Sequence, residues 1–260
     1  MMKAERSRDP LESRLESGRC VMLYDPSLVG NFAAHWFDAD HWMIAGALRG
    51  SARGRGSTHF FEWQGRGYAL RHYRRGGLMA RLSTDRYFDR GPERSRPLQE
   101  FRVTRRLQQL GLPVAPAVAA RYLPSAFTYQ GDLITLRIVG AVSLAALLGG
   151  SGDRGSGDPC AATAAAAIDW SAIGATIARF HAVGLHHADL NAHNLLRDAS
   201  GTWYLIDFDR ARFRNPGLWC DDSLVRLRRS LLKVCDATGV IFDETWWHAL
   251  LQGSGARNGR

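Results

Sequence analysis

The spacing of apolar positions changes along the chain, and each change predicts a new kind of element. Cys20-Val21-Met22-Leu23-Tyr24 is a short apolar run, predicted as an edge strand. Thr58 to Trp63 and Tyr68 to Tyr73 follow as strands around the turn Gln64-Gly65-Arg66-Gly67. From Pro97 the period becomes helical. Leu98, Phe101, Leu107 and Leu110 recur near one face, Pro97 opens the helix and Gly111 stops it. Gly111 to Pro116 reads as a linker into strands at Ala117–Tyr122 and Leu133–Val139, the second leading into a hinge. Ser143 to Leu148 starts a short helix, and Trp170 to Val183 places Ile173, Ile177 and Phe180 on one helical face. Leu195-Leu196 and Tyr204-Leu205-Ile206 flank a glycine-bearing turn at Asp198–Thr202 and predict a hairpin. Asp221 to Val234 has Leu and Val at helical spacing, and Trp246-Trp247 marks a last helix. Phe32, Trp36, Phe37 and Trp42 are packing material for the first lobe, and no internal repeat is visible.

With 260 residues the chain can build one or two lobes with real cores. The pattern divides it into a polar, flexible N-terminus (1–19), an N-terminal lobe (20–139), a C-terminal lobe (140–252) and a polar tail (253–260). Gly, Ser and Asp crowd the segment after Gly149, so 149–167 reads as a flexible insertion in the second lobe. No apolar run approaches the roughly 20 residues of a spanning helix. The charged start has no signal-peptide core, and the four scattered cysteines form no metal-ligand pairs. These features fit a reducing, cytosolic setting.

The formal net charge of +9 favours an anionic partner. That charge is almost all arginine, because Lys3 and Lys233 are the only lysines. Zinc-finger spacing, an aromatic-basic RNA-binding run and a helix-turn-helix signature are all missing, so a nucleic-acid partner is not expected.

The chemistry concentrates between His187 and Phe208. Asp189 and Asn194 lie five positions apart in a polar loop, and the second strand of the following hairpin ends in Asp207. Phosphoryl transfer uses such groups: a carboxylate to orient a hydroxyl, and an amide with a carboxylate to hold magnesium on phosphates. H-x-D-L-x-x-x-N followed by a strand ending D-F resembles the catalytic loop and metal motif of the protein-kinase-like superfamily. The resemblance implies an α+β, bilobal protein-kinase-like fold. Its N-terminal lobe would be an antiparallel β-sheet with one main helix, and its C-terminal lobe small and mostly helical. Gly54 and Gly56, in the Gly-rich loop before the first hairpin, take the place that covers nucleotide phosphates. Arg71 occupies the position of the usual phosphate-bridging lysine, and Glu100, in the first turn of the long helix, is its expected ion-pair partner. D-F-D (Asp207-Phe208-Asp209) replaces D-F-G, no A-P-E follows, and about fifty residues remain, too few to hold a protein substrate.

Leu70-Arg71-His72-Tyr73-Arg74-Arg75-Gly76-Gly77-Leu78, the arginine-rich helix, His187-Ala188-Asp189-Leu190-Asn191-Ala192-His193-Asn194 and Ile206-Asp207-Phe208-Asp209 together resemble the 3-deoxy-D-manno-octulosonic acid (Kdo) kinases, among the lipopolysaccharide core sugar kinases of Gram-negative bacteria. The resemblance implies phosphate transfer from ATP, with Mg2+, to the 4-hydroxyl of Kdo on a lipid A precursor. The partner would be an anionic glycolipid met at the cytoplasmic face of the inner membrane by peripheral contact. Asp189 would be the catalytic base, Asn194 and Asp207 the metal ligands, and Gly54, Gly56, Arg71 and Glu100 the nucleotide contacts, with His187 bracing the loop and His186 and His193 incidental. Arg74, Arg75, Arg210, Arg212 and Arg214 would suit an anionic acceptor. Two alternatives stand beside this reading. One is a small-molecule kinase of the aminoglycoside or choline type, which the basic balance opposes. The other is a pseudokinase acting as a nucleotide-binding module, which the missing lysine would explain but the intact Asp189, Asn194 and Asp207 argue against.

Overall fold

The computed structural model describes residues 3–6, 12–53, 57–73, 87–150, 167–215 and 217–256. Gly54, Gly56, the basic stretch beyond Tyr73 and residues 151–166 of the expected insertion lie outside the described residues. The chain divides into two compact units: Met1–Gln108 with Ala115–Ile138, and Gln109–Val114 with Val139–Arg260.

The first unit is a nine-stranded antiparallel sheet. In chain order its strands are β1 (Lys3–Arg6), β2 (Ser13–Ser17), β3 (Cys20–Tyr24), β4 (Leu48–Arg53), β5 (Ser57–Trp63), β6 (Arg66–His72), β7 (Tyr87–Phe88), β8 (Ala117–Ser125) and β9 (Thr128–Leu136). The spatial order is β1-β2-β3-β8-β9-β6-β5-β4, with β7 also on β9. Two expectations are corrected here. Cys20–Tyr24 is an interior strand, not an edge, because it pairs with both β2 and β8. The supposedly loose N-terminus contributes Ser13–Ser17, whose Leu15 is buried in the core; with one apolar residue in five the segment carries no alternation by which to find it. The β5–β6 hairpin turns at Gln64-Gly65, both at positive φ (50° and 72°), the handedness that matches strand twist.

The pleat sorts side chains onto two faces. Tyr68 and Leu70 join Trp36, Phe37, Trp42 and Phe61 on one face, where Trp42 stacks on Phe61 at 4.1 Å and Phe61 on Tyr68 at 4.9 Å. Tyr73 lies in the other cluster, with Val21, Leu23, Ala120 and Leu133. The long helix α2 (Arg96–Gln109) contributes Leu98 and Phe101 to that cluster, as its spacing predicted. A short helix, α1 (Ala39–Ile44), carries Trp42.

The second unit has a small sheet of β10 (Val142–Ser143), β12 (Leu195–Arg197) and β13 (Trp203–Leu205), and a two-stranded ladder of β11 (Leu185–His186) with β14 (Arg212–Phe213). Its longer helices are α3 (Trp170–Ala182), α4 (Trp219–Thr238) and α5 (Glu244–Ser254), and the short helix expected from Ser143 is a π-helical turn at Ala146–Gly150. The linker expected at Gly111–Pro116 belongs in part to this unit. The Leu205 N–H donates to the Pro113 carbonyl at 3.1 Å, and Arg179 reaches the Gly111 carbonyl at 2.8 Å. Gly253 and Ser254, assigned from sequence to the polar tail, are the last residues of α5.

Helices α3 and α5 cross backbone against backbone. A Cβ on Gly174 would lie 2.0 Å from the Leu250 carbonyl oxygen, and one on Gly253 would lie 2.0 Å from that of Ser171. Trp170 stacks on Trp246 at 5.2 Å beside the crossing. Gly174→Ala must push the helices apart and is expected to cost about 1–3 kcal/mol, the scale of overpacking. Urea unfolding with an unchanged midpoint would show that the crossing tolerates a methyl group.

Candidate active site

In the first unit, Arg71 and Glu100 meet. The Arg71 guanidinium donates to Glu100 Oε2, the same oxygen that receives the Tyr73 hydroxyl. Arg71 Nη2 also donates to the Tyr73 hydroxyl oxygen at 3.0 Å, and its guanidinium carbon lies 4.8 Å from the Tyr73 ring centroid. Glu100 is 3% exposed. Because α2 begins at Arg96, Glu100 sits in the second turn rather than the first, so helix-dipole stabilisation of an exposed first-turn acid does not account for it. A buried carboxylate needs a partner, and here two donors converge on one oxygen. Tyr73 is a site residue that sequence reading missed; its signal was the two-residue step from Arg71, which puts both side chains on one strand face.

In the second unit the polar loop is tied to the hairpin through one imidazole. His187 is 3% exposed. Its Nε2 donates to the Ile206 carbonyl at 3.0 Å, and its Nδ1 accepts the Asp189 N–H at 3.2 Å. Only the neutral ring has one donor and one acceptor, and burial pushes its pKa down, so the environment and the hydrogen bonds require the same protonation state. The Ile206 N–H returns to the Asn194 carbonyl at 3.0 Å, bringing Asp207 to the end of the loop.

The amide nitrogens of Asn191 and Asn194 both donate to the Asp189 carbonyl, at 2.9 and 3.0 Å. The Asn194 amide oxygen is therefore the end left for coordination. Asp207 adopts positive φ, 65°, a left-handed conformation that aspartate tolerates better than most residues. Phe208 is buried after it, packing 5.4 Å from His187 and 6.2 Å from Phe180. Among the described residues no three or more His, Cys, Asp or Glu side chains are grouped so that they could hold a metal ion.

Helix α4 supports the loop. Ser230 Oγ accepts the Ala192 N–H at 3.1 Å, and one turn earlier Arg226 Nη1 lies 3.9 Å from Asp189 Oδ1. Neither residue stood out in the sequence, where both are ordinary positions on a helix with arginines at several turns.

The family profile described as lipopolysaccharide kinase (Kdo/WaaP) matches residues 39–253. The chain belongs to that family. It is a phosphotransferase of a protein-kinase-like family, with the mixed α+β architecture described above. Among curated proteins it is similar to a 3-deoxy-D-manno-octulosonic acid kinase of Stenotrophomonas maltophilia (strain R551-3), at 40% identity over 82% of this chain and 81% of that one. A protein of the same name from Xylella fastidiosa (strain M23) is 43% identical over 71% of this chain and 69% of its own. Another, from Mannheimia succiniciproducens, is 37% identical over 84% and 89%.

Two histidines of the second unit make its stability depend on pH. Burial lowers the pKa of His187, and it lowers that of His181, packed 5.3 Å from Trp219, to about 4. An unfolded chain takes up protons on these rings below about 6.5. The folded form does not, so stability is fully present above that pH and is lost as pH falls toward 4. Urea midpoints measured between these limits should fall less steeply for His181→Gln than for the wild type. Equal slopes would mean that His181 titrates normally in the folded protein.

Proposed function

We propose that the chain transfers the γ-phosphoryl group of ATP to the 4-hydroxyl of Kdo on a lipid A precursor, in lipopolysaccharide core biosynthesis. What carries this reading is similarity over most of the chain to proteins named 3-deoxy-D-manno-octulosonic acid kinase. The braced loop supports it, since it offers an accessible carboxylate beside two oxygen donors.

Asp189 orients the sugar hydroxyl and accepts its proton as the new O–P bond forms and the β–γ bond breaks, releasing ADP. Its backbone is fixed at both N–H and C=O, while the carboxylate stays about half exposed, open to an acceptor. The Asn194 amide oxygen and the Asp207 carboxylate would hold magnesium, a hard ion matched to hard oxygen ligands. Magnesium when bound neutralises charge on the phosphates. In this reading the first unit is the nucleotide-binding lobe and the second the catalytic lobe. Arg71 meets the phosphates as a bidentate fork in the lysine's place, with Glu100 and Tyr73 fixing its orientation. Gly54 and Gly56, outside the described residues, cover the phosphates. An aminoglycoside acceptor, being polycationic, is disfavoured by the same basic balance that suits a glycolipid.

A phosphate-transfer assay on Kdo-lipid A precursor, free Kdo and an aminoglycoside tests the assignment, with mass spectrometry of the product. One phosphate added to the Kdo residue is expected, with poor transfer to free Kdo, which lacks the remote lipid contacts, and none to the aminoglycoside. In the same assay Asp189→Asn should abolish nearly all turnover. Arg71→Ala should cost about 3 kcal/mol in transition-state stabilisation, and Arg71→Lys should recover only part of it. Transfer to the aminoglycoside with the lipid untouched would overturn the assignment.

The substrate is a lipid, and no helix among the described residues is long and apolar enough to cross a membrane. We therefore place the protein peripherally at the cytoplasmic face of the inner membrane, held by basic stretches such as Arg210 to Arg214. Co-sedimentation with anionic vesicles should be strong at low salt and lost near 1 M, where the Debye length is about 3 Å. Binding indifferent to salt would rule out electrostatic docking.

A further inference from the structure

Arg226 projects from the exposed side of α4, whose opposite side buries Leu224, Leu227 and Leu231. Its place beside Asp189 is fixed by helix register. Ser230, four residues on and therefore on the same side, is hydrogen-bonded to the loop at Ala192. Yet Arg226 does not brace Asp189. Their 3.9 Å separation exceeds hydrogen-bond length, and both side chains are more than half exposed, at 57% and 51%. The loop has its own ties in His187, Asn191, Asn194 and Ser230. A guanidinium with five donors stands at the mouth of the proposed base with capacity to spare.

Other cations gather around the strand that leads into the loop. His186, three residues before Asp189, pairs in the β11–β14 ladder with Arg212, and the Arg214 N–H donates to the Gly184 carbonyl at 2.7 Å. Arg212 and Arg214 are exposed and two residues apart. Burial first, then the charges of Arg214, Arg226 and Arg212, hold His186 below the usual histidine range, with Asp222 of α4 opposing them. His186 is thus kept neutral amid three arginines.

We propose that Arg226, supported by Arg212 and Arg214, is the anion-binding subsite of the acceptor, taking the carboxylate of the sugar whose hydroxyl Asp189 deprotonates. The proposal rests on the acceptor reading above and deepens it. An arginine matches a carboxylate as a planar two-donor fork. Anchoring the acid group next to the base selects one hydroxyl and positions it, and a sugar without the acid loses that hold.

The test is a cycle between protein and acceptor. Arg226→Gln and the wild type are compared on the Kdo glycolipid and on the same glycolipid with the Kdo carboxylate converted to its amide. Wild-type KM for the acceptor should rise by about ten- to a hundredfold on the amide, the scale of one charge-assisted hydrogen bond. Arg226→Gln should show that higher KM already on the natural acceptor and lose little more on the amide, with KM for ATP unchanged. Arg226→Lys should fall between, a point charge replacing a fork. Wild-type KM in Arg226→Gln, or an equal further loss on the amide, would overturn the subsite while leaving the acceptor reading intact. A wild-type protein inert on both glycolipids would overturn the acceptor reading and the subsite together.

Discussion

His187 ties two segments of the second unit together through the two nitrogens of one ring. One ring nitrogen receives the Asp189 N–H and the other gives its proton to the Ile206 carbonyl. A protonated ring would present a donor to the Asp189 N–H and lose that bond, so the arrangement exists only while the ring stays neutral. Burial secures that state by making the charged form costly. The loop bearing Asp189 and Asn194 and the strand leading into Asp207 are thereby held at one spacing. Phe208 packs against the same ring and closes its apolar side.

The same rule, that buried polar groups must be matched, shapes the first unit. Glu100 is buried in α2 and receives both Arg71 and Tyr73. Asp132, also buried, accepts from Arg121 at 2.8 Å across the β8–β9 ladder and lies 2.7 Å from the His72 imidazole on β6. Asp25 is met by Arg105 from α2. Each carboxylate links elements distant in sequence, and leaving any of them without its cation would strand a charge in a place water does not reach. Arginine suits this task better than lysine, because one guanidinium can serve a carboxylate and a hydroxyl together, as Arg71 does.

Helix α4 shows how structural and chemical duties divide along one element. Its leucine face anchors it, Ser230 holds the loop that bears Asp189, and Arg226 remains exposed beside that carboxylate. The hydroxyl sets where the helix lies relative to the loop, so the charge one turn away is placed without a bond of its own. The close crossing of α3 and α5 works differently, through the absence of side chains at Gly174 and Gly253.

The sequence by itself determined the elements with strong periodicity: the helix ending before Gly111, the amphipathic helix ending before Gly184, and the hairpins at Gln64-Gly65 and Asp198–Thr202. It also picked out the loop of Asp189 and Asn194 and the strand into Asp207, whose spacing is local, and it exposed the lysine vacancy that pointed to the pairing of Arg71 with Glu100. Tertiary structure decided what periodicity cannot express. A short apolar run shows that Cys20–Tyr24 is a strand but not how many neighbours it has, and pairing with Ser13–Ser17 as well as β8 made it interior. The segment Gln109–Val114 joined the second unit because Pro113 accepts from Leu205, 92 positions away by their numbers. Tyr73 reached Glu100 across 27 residues and Ser230 reached Ala192 across 38, separations at which composition and spacing carry no information. A local pattern says which face of an element is apolar; only packing says which polar group from elsewhere comes to meet the other face.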